Sequence, residues 1–185
     1  ALEPGFFSGK VLLNLDSEDE GEIFVGCAGG LDTTAEFHYK DEPVCEDFEL
    51  QEVYVKDAMG GHSGDDINKG RANAVQLLGR FLYSINDLDW QLVAIDGGNK
   101  RNAIAREAYA VIGFKKRDKN SILKIFNTLL AEVKDEYRIT DSNIDGAVGE
   151  VGIWDVKEGK CIGGPKKAVD PNTTACLIYA LCAAP

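Results

Sequence analysis

The order of elements in the sequence predicts an α+β fold: a ferredoxin-like βαββαβ unit, one antiparallel sheet with two helices on one face. Three observations predict it. Residues 48–56 alternate polar and apolar side chains like a half-buried strand, and 90–96 and 108–114 are short apolar runs of strand length. Residues 72–85 and 120–137 each carry apolar side chains at helical spacing, through Ala74, Val75, Leu78, Phe81, Leu82 and Ile85 in the first. Read in sequence these give strand, helix, strand, strand, helix, and the region around 148–156 supplies the next strand.

The remaining elements follow in order. Residues 10–15 form an almost wholly apolar run, as a buried strand requires, and lead into the carboxylate-rich stretch 16–22. Residues 21–30 read as a strand closing on a glycine-rich turn, and 32–39 alternate like another strand. His38 is a polar member of that alternation, hence a surface histidine. Cys27 has no base beside it and is not read as a nucleophile. Residues 41–47, with Pro43, are a turn, and 86–89 break the first helical pattern. The second helix buries Ile122, Ile125, Phe126, Leu129, Leu130, Val133 and Tyr137. Residues 139–171 are glycine-rich with little periodicity. The helical pattern that begins at Thr174 runs to Pro185 without a polar cap, and the chain opens at Ala1 without methionine. Both ends point to a part excised from a longer protein.

At 185 residues there is room for one medium domain or parts of two. A net charge of -11 leaves no basic stripe to offset phosphate repulsion, which argues against nucleic acid as a partner. No apolar run reaches the length of a membrane span, and no signal peptide opens the sequence. The five cysteines lack paired C-x-x-C spacing, so a reducing, cytoplasmic setting without a disulfide framework is expected. Cys176 and Cys182, in an apolar stretch, read as buried small hydrophobes.

The segment Met59-Gly60-Gly61-His62-Ser63-Gly64-Asp65-Asp66-Ile67-Asn68-Lys69-Gly70-Arg71 joins the central strand to the first helix. Gly60, Gly61 and Gly64 permit positive φ and close approach, Ser63 and Asp66 stand at capping-box spacing, and Asp65 is a second N-cap candidate. A tight turn with His62 on its solvated lip satisfies this pattern, and so does an imidazole presented to an outside partner. From Gly60 to Ala74 the sequence resembles the lid-domain segment of the aminoacyl-histidine (Xaa-His) dipeptidases, dinuclear metallopeptidases of the M20 family. Residues 99–107 resemble that family's Asn-x-Ile-Pro-x-Glu stretch around Asn102, with Ala105 in place of proline. Asn102 could otherwise cap a hairpin loop.

The resemblance implies roles. His62 would be catalytic, donating a hydrogen bond to the tetrahedral oxyanion in the partner subunit's active site, and Asn102 would bind substrate. The strand followed by Asn14-Leu15-Asp16-Ser17-Glu18 resembles the segment carrying a terminal metal ligand, which would be Asp16, with Glu18 a weaker candidate; a solvated acidic turn is the alternative. Two divalent metal ions, zinc first among candidates, would be bound by the intact enzyme and none by this part. The family's His-x-Asp motif, Glu-Glu pair and late histidine are missing, and His38 and His62 are the only histidines. Residues 1–30 would then be the edge of the catalytic domain, contributing short strands and the crossover, and 31–185 the lid and dimerisation domain. The expected partners are a dipeptide substrate and a second copy of the chain. A non-catalytic dimerisation or small-ligand-binding module is the competing reading.

Overall fold

A computed structural model describes residues 4–6, 8–11, 13, 20–26, 30–151, 154–155, 160–161 and 165–184. The chain divides into two compact units, Ala1–Glu36 and Phe37–Pro185.

Among the described residues of the first unit there is neither strand nor helix. The strands expected at 10–15, 21–30 and 32–39 are thus not found where they can be described. A strand is stable only with a neighbour to take its backbone bonds, and Val11, Leu13, Ile23 and Val25 stand exposed instead of packing under one.

The second unit holds the predicted fold. Its sheet is β2 (Phe48–Lys56), β4 (Trp90–Gly97), β6 (Ala108–Lys115) and β7 (Asp145–Glu150), in the order β4-β6-β2-β7 and antiparallel throughout. That is the spatial order of a βαββαβ unit. Gln51, Val53 and Val55 of β2 and Ala108, Ala110, Ile112 and Phe114 of β6 point to one buried face. Helices α1 (Ala74–Ser84) and α2 (Lys119–Glu136) pack there. Phe81 meets Phe126 edge-on at 5.3 Å between ring centroids, joining the helices above the sheet.

Several boundaries differ from expectation. The first helix begins at Ala74 because Asn73 caps it, accepting the Val75 N–H at 3.0 Å; neither Ser63 nor Asp66 is its cap. The last sheet strand lies at 145–150, earlier than the 148–156 region, since it must end opposite Gln51. Residues 41–43, expected to turn, form β1 (Asp41–Pro43), which pairs with β10 (Lys167–Val169). This strap lies along the margin of β4. Gln91 binds it there, its Oε1 accepting the Cys45 N–H and its Nε2 donating to the Pro43 carbonyl.

Two further pairs are short ribbons, β3 (Gly61–His62) with β5 (Ala103–Ile104) and β8 (Trp154–Asp155) with β9 (Lys160–Cys161). The terminal pattern is α3 (Pro171–Ala183), capped by the Asp170 carboxylate on the Thr173 N–H and packed on α1. Ile178 faces the core, whereas Cys176 and Cys182 are exposed, not buried: the helix is apolar nearly all round, and only one side meets α1.

Candidate functional site: a histidine loop paired with an asparagine turn

The chain leaves β2 at Lys56 and reaches α1 at Ala74 through a loop whose middle carries His62. Gly60 and Gly61 turn it with φ of +67° and +148°. A Cβ on Gly61 would stand 2.4 Å from Arg71 Nη1 and 2.6 Å from Asp66 Oδ2, so only glycine fits between those groups.

Asp66 is the loop's internal anchor. Its carboxylate accepts the His62 N–H at 2.7 Å and Lys69 Nζ at 2.6 Å, with Arg71 Nη1 at 3.2 Å. Arg71 also donates to the Gly60 carbonyl at 2.7 Å, and the Asp66 N–H returns to the His62 carbonyl at 3.0 Å. The hydrogen bond from Lys69, aided by the His62 amide and the Arg71 charge, holds the Asp66 carboxyl below its ordinary value of 3.8.

The ring of His62 is fixed by its own turn. Nδ1 accepts the backbone N–H of Gly64 at 3.1 Å and of Asp65 at 3.3 Å. In a neutral imidazole one nitrogen accepts and the other carries the proton, so Nε2 is the N–H donor. The side chain is 51% exposed and therefore offers that donor outward. The Asp65 carboxylate, expected as a cap, stands 3.6 Å from Nδ1 instead.

The ribbon brings the second predicted residue alongside. His62 pairs with Ala103, Gly61 pairs with Ile104, and the Ser63 N–H donates to the Asn102 carbonyl at 3.0 Å. Asn102 is exposed in the turn that enters β5. Ala105 keeps its place through its carbonyl, which accepts the Ala74 N–H at 2.9 Å, a contact proline would also provide. Beside this ribbon opens a hollow of about 830 Å³ with charges of both signs in its wall, Lys56, Lys100 and Arg106 against Glu52, Asp96 and Glu107.

Sequence reasoning missed Asp141. It is 2% exposed, and its carboxylate accepts the Met59 N–H at 2.8 Å and the Ala72 N–H at 3.1 Å, the two ends of the histidine loop. A lone acid in a stretch without periodicity carries no signal of this. Asp16 and Glu18 lie outside the described residues. Among the described residues no group of three or more His, Cys, Asp or Glu side chains converges to hold a metal ion, and Nδ1 of His62 is already occupied. The described residues do not fit a metal centre.

Residues 53–141, which hold most of the sheet, both helices that cover it and the histidine loop, match the peptidase dimerisation domain of M20 type, and this stretch of the chain is a member of that family. It is similar to the cytosol non-specific dipeptidase of Escherichia coli K12, 41% identical over 145 residues that make up 77% of this chain and 30% of the relative. Among solved structures it superposes on the aminoacylhistidine dipeptidase of Vibrio alginolyticus with a TM-score of 0.78 and 32% identity, over 100% of this chain and 36% of that one. The chain spans about a third of the length of these relatives.

Proposed function

We propose that this chain is the lid and dimerisation part of a dinuclear metal-dependent dipeptidase, in which His62 serves the active site of a partner subunit. On this reading residues 31–185 are the lid, and residues 1–30 are the edge of a catalytic domain that contributes Asp16 to a site for two divalent ions, zinc first among candidates. The enzyme is a cytoplasmic homodimer. The E. coli relative's name agrees with that setting.

The observation that carries the reading is the state of the imidazole. Two backbone amides occupy Nδ1, which leaves Nε2–H as a donor on a half-exposed ring. A donor fixed before substrate arrives stabilises negative charge as it develops on a carbonyl oxygen without reorganising at that moment. Asn102, held on the same ribbon, supplies both amide donors and an acceptor for the substrate's backbone or terminal carboxylate. The Vibrio neighbour's name points to Xaa-His dipeptides as substrate, the E. coli relative's to a broader range; kcat/KM for Xaa-His and non-histidine dipeptides separates the two.

In the full-length enzyme His62→Ala lowers kcat by about 10²-fold with a smaller change in KM, measured by steady-state dipeptide hydrolysis. An unchanged kcat would leave a dimerisation or small-ligand module in which His62 has no part in the chemistry.

A further inference from the structure

We propose that Asp141 is the positioning residue of the His62 loop, an inference that rests on the catalytic reading of His62 given above. Its carboxylate spans the loop from below. Oδ1 takes the Met59 N–H and Oδ2 the Ala72 N–H, so one side chain joins the residue three before His62 to the residue after Arg71. Arg71 in turn grips the Gly60 carbonyl and the Asp66 carboxylate. The carboxylate, the loop's two ends and the ring's own turn thus form one chain of hydrogen bonds.

The anchor itself is rigid. The Asp141 N–H donates to the Tyr137 carbonyl at 2.8 Å, just past the end of α2, which fixes the backbone that carries the carboxylate to the longest helix among the described residues. This is an unfavourable place for an acid, since the C-terminal end of a helix carries partial negative charge and burial removes water. Two backbone donors offset that cost, and a neutral side chain could not accept from both amides through two equivalent oxygens. Neighbouring contacts hold the adjoining stretch. The Ala58 N–H and carbonyl bond to the Arg106 carbonyl and Nε, and the Ala74 N–H bonds to the Ala105 carbonyl. The stretch after Asn102 is thus held by bonds of its own, and a shift of Asp141 acts through His62.

The test is Asp141→Asn in the full-length enzyme, alone and combined with His62→Ala. Asparagine keeps one acceptor oxygen and turns an NH₂ group against the other amide. The single variant lowers kcat by about tenfold or more, because small misplacements of an oriented group cost that much, while KM stays within about twofold. In the His62→Ala background the same change alters kcat by about twofold or less, because the effect passes through the ring. The ¹⁵N shifts of the His62 imidazole move in Asp141→Asn, since the Gly64 and Asp65 amides no longer meet Nδ1 as before. An equal loss of kcat with and without His62, or unmoved ring shifts, overturns the proposal. Should His62→Ala leave kcat unaltered, the catalytic reading falls, and the ring shifts still decide whether Asp141 positions the loop. If Asp141→Asn fails to fold, the wild-type enzyme decides by hydrogen exchange: amides of Met59 and Ala72 that open together with those of Gly64 and Asp65 support the anchor, and independent opening overturns it.

Discussion

Asp66 gathers a lysine, an arginine and the backbone amide of the histidine it supports, and the pH dependence of the loop follows from that geometry. Its folded pKa lies below the ordinary 3.8, so its contribution to the loop is fully present above that value and is lost as pH falls through the depressed one. Exchange protection of the His62 amide, which donates to this carboxylate, corrected for intrinsic rates, therefore persists when the pH is lowered to about 4, where an unperturbed aspartate is already half protonated. Protection fading in step with an ordinary carboxyl group would refute the anchor role. His62 and Asn102 stand out in the sequence, one as a histidine among glycines and the other by resemblance to a family stretch. Asp66 was noticed for the wrong reason, as a helix cap, because capping spacing and an internal ion cluster look alike in sequence. Asp141 left no trace, since both its partners are backbone amides, which any residue type provides.

Helices and strands were readable in proportion to their length. The strand 48–56 and both long helices announce themselves by periodicity, and the helix interface is correspondingly specific. Phe81 is fully buried against Phe126, and Phe81→Ala lowers unfolding free energy by about 3–5 kcal/mol, read from urea denaturation of the chain. A loss below about 1 kcal/mol would mean the helices repack without that ring pair. The two-residue ribbon of β3 and β5 is too short for any period to register, although it places His62 beside Asn102. The strap of β1 and β10 escaped for another reason: its strands lie at opposite ends of the domain's sequence, and each alone reads as a turn or a loop. Cysteine burial along α3 was misjudged because composition gives a helix's apolarity but not which of its sides is covered.

As a whole molecule, the chain spans about a third of the length of the dipeptidases it is similar to, and on the proposed reading it is one half of a reaction centre. Assayed alone with added zinc or manganese it hydrolyses no dipeptide, because a two-metal site needs several more ligands than two separate histidines and scattered carboxylates provide. Turnover by the purified chain, tracking with the protein through a second column, would contradict this. The antiparallel order β4-β6-β2-β7 was deducible from the succession of elements alone, whereas the way the sheet is bordered was not. That border has a consequence of its own. An uncovered outermost strand is a template to which foreign chains can add. Gln91 reaches sideways from β4 with an amide that imitates a peptide unit, one arm giving to Pro43 and the other receiving from Cys45. A single glutamine thereby fastens the strap along that flank, so the outermost strand has a neighbour from its own chain.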